Sequence, residues 1–356
     1  MKYLLAGLLI GTIAGFLLFR GASASEIMPE FYNPLQFDSI VSDSRSNPNT
    51  FIVPMVDRLI LVDTAGNCVR TVEHGDELIE FSGNGDYYIK YGRIGTKIEL
   101  FGIKGERYWQ KDSREKPFIS YNGKIVFLLN GDHSGIRIFD TNGNSVGSEQ
   151  IIGRLCTSIE FSGKNDFGAC GFIDGHYCFT DEQGVIINSG RVPVKNSVKG
   201  TKISNNGKYG FIHYGNTTKD WVRIVNINKN RSYDSSLENV HVVRTAMNIT
   251  DDGDGAFFDN DKILLFDKGC NLKFKLDVPK KKAGFSTLSF ENGIYVLGYT
   301  KNTGESQLVV FKSNGDIFYA KDFSNESFLS GIIRDDLIFL RGSDNLLAYK
   351  IRLSTE

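Results

Sequence analysis

Beyond residue 25 the chain alternates short apolar runs with polar, glycine-bearing breaks, and the whole unit recurs. FSGNGDYYIKYG (81–92), ISYNGKIVFLLNG (119–131), FSGKNDFGACGF (161–172) and ISNNGKYGFIHYG (203–215) share one grammar. An apolar strand (a) ends in a hydroxyl residue, a polar turn follows, and a second strand (b) rich in Phe, Tyr and Ile comes next. A third strand (c) then closes on a turn, as in LILVDTAGN (59–67), GIRIFDTNGN (135–144) and LVVFKSNGD (308–316). A short fourth strand (d), such as RYWQKD (107–112), completes the unit. Turn pairs such as Asn142-Gly143 and Asn314-Gly315 supply the positive φ angles a tight hairpin needs. No stretch after residue 25 holds a helical period over eleven residues, which excludes helical repeats and βαβ folds.

Aligned on the hydroxyl, the units fall at Ser42, Ser82, Ser120, Ser162, Ser204, Thr250, Ser289 and Ser330, with spacings of 40, 38, 42, 42, 46, 39 and 41. A period near 40 built only of strands and turns predicts a β-propeller with one four-stranded blade per repeat. Eight hydroxyls predict eight blades; a seven-bladed ring, with the first unit partly a linker, is the alternative. The last unit ends without a strand d, and residues 29–34 (PEFYNP) stand at the distance before Ser42 where a strand d belongs. The reading is therefore one domain, 25–356, closed by strand 29–34 pairing with the last blade. Closure matters because a single blade buries neither face alone and an open ring leaves strand edges free to pair.

By period and strand grammar the chain resembles the broad class of WD40-like and quinoprotein-like (PQQ-like) β-propellers. WD dipeptides are absent, and Trp109 and Trp221 are the only tryptophans, so the tryptophan docking motif of quinoprotein dehydrogenases is missing. The resemblance implies that b–c and d–a loops share the ligand-carrying face, while strands a line a central channel.

Residues 1–24 differ in kind. Tyr3 to Phe19 carry no charge, flanked by Lys2 and Arg20. They read as an N-terminal hydrophobic helix, either a retained transmembrane anchor through residues 3–19 or a signal peptide cleaved near Ala24. Both send the remainder out of the cytoplasm, to the periplasmic or extracellular side or into secretion. Gly7, Gly11 and Gly15 share a helical face, the spacing of small-residue helix pairing, and suggest a homodimer.

A formal net charge of −1 gives no field to draw nucleic acid. Five scattered cysteines make no disulfide framework. With a two-residue turn at Asp174-Gly175, Cys170 is expected opposite Phe179, not Cys178; only a three-residue loop pairs the two cysteines directly. The loop-face candidates are His133 and His176 on neighbouring blades, Arg191, Lys195 and Lys199 in one d–a loop, and Lys280, Lys281 and Lys282 in another. Two histidines without a third ligand do not make a metal site. TDDGDG (250–255) echoes a calcium loop but occupies an a–b turn slot and lacks the terminal Glu.

The sequence thus reads as a non-catalytic, extracytoplasmic binding platform for a protein or anionic glycan, with no cofactor and no metal. The alternative is a propeller-type enzyme, a hydrolase, lyase or quinone-dependent oxidoreductase, with its site over the channel. Glu80 and Glu160, each two residues before an aligned hydroxyl, and Lys202 are the residues that point to it.

Overall fold

The computed structural model of the protein describes residues 26–34, 51–54, 58–63, 67–93, 95–147, 151–242, 244–279, 286–302, 304–324, 330–334, 337–341 and 345–352. The expected N-terminal helix, Ser42 and the lysines at 280–282 lie outside the described residues. Every regular element among those described is a β-strand. Six antiparallel sheets have the sequential order a-b-c-d and span 77–112, 116–152, 156–191, 197–236, 247–277 and 286–324. In a seventh, Glu26–Pro34 pairs with Asn345–Arg352, which continues into Leu337–Arg341 and Ser330–Arg334. A further sheet has three strands, Phe51–Pro54, Arg58–Val62 and Cys68–Glu73.

Among the described residues the all-β propeller has seven four-stranded blades, where eight were expected, and the remaining sheet has three strands. The first repeat supplies three described strands, and residues 35–50 lie outside the described residues. The core is a series of apolar layers between neighbouring sheets. Phe179 and Val198 lie in the layer between 156–191 and 197–236, and Phe211 and Phe257 in the next. The three-stranded sheet packs Phe51 and Ile60 against Phe339 and Leu346 of the closing blade. Strands b and c are buried almost throughout, whereas strands d such as Arg231–Ser236 face solvent on most positions.

The recurrent hydroxyl has a local reason. Ser82, Ser120 and Ser204 are fully buried, and each Oγ accepts a hydrogen bond from the amide five residues on, at Tyr87 (3.0 Å), Ile125 (3.1 Å) and Tyr209 (3.0 Å). Thr250 Oγ1 accepts likewise from the amide four residues on, at Asp254 (3.1 Å). The hydroxyl thus satisfies an amide that the turn would otherwise leave orphaned in the interior. Three described aligned positions differ. Ser162 Oγ donates instead to the Asn165 carbonyl at 2.6 Å. Ser289 lies inside Ser286–Glu291, whose hairpin turns two residues later at Asn292-Gly293, both with positive φ. Ser330 opens its strand instead of ending it. Aspartates of the c–d turns cap their own backbone, as the sequence predicts: Asp140 accepts from the amides of Asn142 and Asn144, and Asp267 from Gly269 and Asn271.

The a–b turns are also stitched to one another. Asn122 donates to Asp166 in the next blade, Asn165 to the carbonyl of Asn205, and Asn206 to Asp251. These bonds join four neighbouring blades at one end of the channel, and the TDDGDG segment is part of that belt as an ordinary turn.

Candidate functional site

Two regions gather polar chemistry: the channel wall and the loop face. On the wall, strand a of 156–191 places Glu160 opposite strand a of the next blade. Lys202 Nζ donates to Glu160 Oε2 at 2.6 Å, and Arg244, from the following d–a connection, binds Oε1. Burial pushes the Glu160 carboxyl up, but the two cations outweigh it and hold it below its ordinary value. Glu80 has the opposite fate. Burial, with help from the Glu160 charge and against the pull of Lys116, raises it to about 7. A cavity of about 250 Å³ opens beside Lys202, Arg244, Ser286 and Thr287. At the a–b end a second, of about 360 Å³, is crossed by an ion pair from Lys164 to Glu291 (2.6 Å).

Because its folded value lies above its ordinary 4.5, Glu80 stabilises the fold only while protonated, and that contribution fades as pH rises from 4.5 through about 7. Glu80→Gln is therefore expected to raise stability at pH 8 by about 1–3 kcal/mol and to change little below pH 4.5. Urea titrations of both proteins at the two pH values check this.

On the loop face, d–a connections are bonded to neighbouring b–c loops. The Cys156 amide donates to the His133 carbonyl (2.8 Å), Ile173 to Leu155 (2.9 Å), and Val192 to Gly175 (2.9 Å). This cross-bonding fixes loops that have little secondary structure of their own. His133 is exposed and holds a left-handed φ of 61°. His176 is half-buried, its Nδ1 2.8 Å from Asp174 Oδ2. Arg191 donates through Nε to the Asp174 carbonyl at 3.1 Å, and Lys195 is exposed. Lys199 is turned inward: its Nζ donates to Asp220 Oδ1 (2.6 Å) and to the His241 carbonyl (2.7 Å).

Asp220 is the centre of a buried polar cluster between blades 197–236 and 247–277. Its Oδ2 accepts from His213 Nε2 (2.9 Å) and from the His241 amide (2.8 Å), and His241 Nε2 lies 2.7 Å from Asp259 Oδ1. Burial pushes the His213 ring below its ordinary 6.5 in spite of Asp220, so the ring is neutral and donates from Nε2. Burial pushes Asp220 up, but the bonds from His213, Lys199 and His241 hold it below 3.8.

The cysteine register departs from expectation. The b–c loop of 156–191 has three residues, Ile173, Asp174 and Gly175, so Cys170 and Cys178 are direct cross-strand partners. Both are buried free thiols. Gly175 makes the longer loop feasible with a φ of 86°. Among the described residues no group of three His, Cys, Asp or Glu is placed to hold a metal ion.

The face also carries apolar side chains in the open. Val242 is 95% exposed, Val194 70% and Ile152 62%, and Leu155 and Ile173 stand exposed beside them in chain order. All belong to strand ends, b–c loops or d–a connections of consecutive blades between 116 and 277. Sequence reasoning tracked charge here and passed over these residues. The signal was apolar side chains in GRLC, FIDG, VPVKN and HVVRT, stretches that no strand of the repeat accounts for.

No family model and no curated protein matches the sequence. Solved structures do match in shape. BamB from Moraxella catarrhalis aligns with a TM-score of 0.62 at 12% identity, over 93% of this chain and 99% of that one. Sqt1 from Saccharomyces cerevisiae aligns at 0.63 and 11%, over 90% and 98%. At such identity the likeness is one of fold: the chain has the fold of a β-propeller.

Proposed function

We propose that this protein is a non-catalytic binding platform of the cell envelope, and that its b–c/d–a loop face receives a protein partner. The observation that carries the reading is the set of solvent-facing aliphatic residues, Ile152, Leu155, Ile173, Val194 and Val242, on that face of consecutive blades. Solvated loops do not need such side chains, and exposed apolar groups collected beside arginines mark contact surfaces. The cross-bonded loops present them with little conformational freedom to lose on binding. The uncharged run from Tyr3 to Phe19 supports a tether or an export signal, and with it an extracytoplasmic face. Among the described residues no helix is long and apolar enough to cross a membrane.

Capture from detergent-solubilised membranes tests this, with wild type beside a Leu155→Asp/Val194→Asp double variant. The expected result is a partner held by the wild type and reduced tenfold or more by the variant at unchanged melting temperature. Equal recovery by both proteins overturns the assignment of the face.

One observation favours a second reading, chemistry at the channel. Glu160, Lys202 and Arg244 converge there beside a carboxyl raised to about 7. The Glu160 carboxylate is paired to both cations, with one positive charge left over, and the three act first as a clamp joining neighbouring blades.

A further inference from the structure

The loop face is not uniform, and one groove in it is built more specifically than the rest. A cavity of about 350 Å³ lies between the outer part of blade 116–152 and strands c and d of blade 156–191. Its floor and walls are apolar, from Ile151, Phe172 and Ile186. Its rim carries the guanidiniums of Arg154 and Arg191, with His176 beside them. Among the described residues the outer strand of the first of these blades is Ile151–Ile152, and that of the next is Ile186–Arg191.

The polar groups are arranged unequally. Asp174 is the acid that serves the rim: its carboxylate is 2.8 Å from His176 Nδ1 and 3.3 Å from Arg154 Nε. The contact to Arg154 lacks hydrogen-bond geometry, so that Nε is shut from solvent with no acceptor. A guanidinium N–H shut from solvent without an acceptor is unsatisfied, so this end of the rim is incompletely bonded. Arg191 is anchored through Nε to the Asp174 carbonyl, which fixes the plane of its guanidinium over the opening. Two guanidiniums against one carboxylate leave one positive charge over, which fits a second anion of planar, two-oxygen shape. Around the opening stand Ile152, Leu155, Ile173 and Ile187, all exposed.

We infer that this groove receives an extended segment of the partner in which an aspartate or glutamate adjoins aliphatic residues. The carboxylate docks between Arg154 and Arg191, and the aliphatic neighbours fill the floor between Phe172 and Ile186. The volume suits two or three side chains, and the charge excess at the rim selects an acidic segment over a basic one. This inference rests on the loop face being the contact surface, and narrows it to one groove and one chemistry.

Panning a phage-displayed dodecapeptide library on the full chain tests it. Selected peptides are expected to carry Asp or Glu beside two or more Leu, Ile or Val. A synthetic copy of the strongest should bind at least tenfold more weakly to Arg191→Gln and to Arg154→Gln, each at wild-type melting temperature. Replacing its acid by the amide should weaken it equally, while Lys273→Gln, whose lysine pairs with Asp254 at an a–b turn, should leave binding unchanged. Selected peptides without acids, no enrichment at all, or binding indifferent to both arginines overturn the groove. Peptides lost on Val194→Asp but indifferent to the arginines overturn the groove and leave the loop face standing.

Discussion

Removal of residues 26–34 from the otherwise full chain is expected to abolish cooperative folding. That strand pairs with the last strand from Glu26↔Arg352 to Pro34↔Asn345, with one irregularity between Pro29 and Phe31. At roughly 0.5–1.5 kcal/mol per hydrogen bond, a ladder of this length contributes roughly 4–8 kcal/mol. Whole domains are stable by only about 5–15 kcal/mol, so the loss is comparable with everything the fold has. It also leaves Asn345–Arg352 as a long unpaired edge, a template for pairing between chains. Size-exclusion chromatography and urea denaturation give the answer. A monomer with the wild-type midpoint would show that the pairing contributes nothing to closure.

The second large effect is expected at Asp220. The side chain is fully buried, and Asp220→Ala strands the Lys199 ammonium, His213 Nε2 and the His241 amide without their acceptor. Breaking one partner out of such a cluster costs about 3–5 kcal/mol, because the remaining charge has no solvent to return to. Asp220→Asn keeps an acceptor oxygen and should lose less.

The same cluster sets the acid limb of stability. His213 has a folded value below 6.5, so the unfolded chain takes up the proton first, and stability falls as pH drops below about 6.5. Asp220, held below 3.8, adds a further loss once pH falls through that value. The Asn variant removes the lower component and keeps the upper one. Denaturation midpoints at pH 8, 5 and 3 for wild type and the two variants separate these contributions.

Much of the architecture is legible in the chain because its causes are local. A serine that closes a five-residue turn, as Ser120 does for Ile125, acts within one hairpin, and its repetition at about 40 residues marks each blade. Asp140 and Asp267 cap turns two and four residues away, again within reach of sequence. The errors arise where one residue more or less in a loop changes everything downstream. A third loop residue turned Cys170 from Phe179 to Cys178, because side chains in a ladder alternate faces with period two. Likewise Ser289 and Ser330 kept the spacing but not the role, since their strands run further before turning.

The candidate site was legible only in its parts. His176 and Arg191 were visible as loop residues, yet nothing in their spacing shows that Arg154 from the preceding connection meets the same Asp174. Glu160 and Lys202 are 42 residues apart, and the third member, Arg244, is one further repeat away. By itself the sequence determined the strand grammar, its period and the all-β propeller class, since those follow from alternation and turn chemistry over a few residues. Tertiary structure alone decided that seven blades have four strands, which thiols face each other, and which charges converge. These depend on register and on the stacking of whole blades, where neighbours in space are about 40 residues apart in the chain.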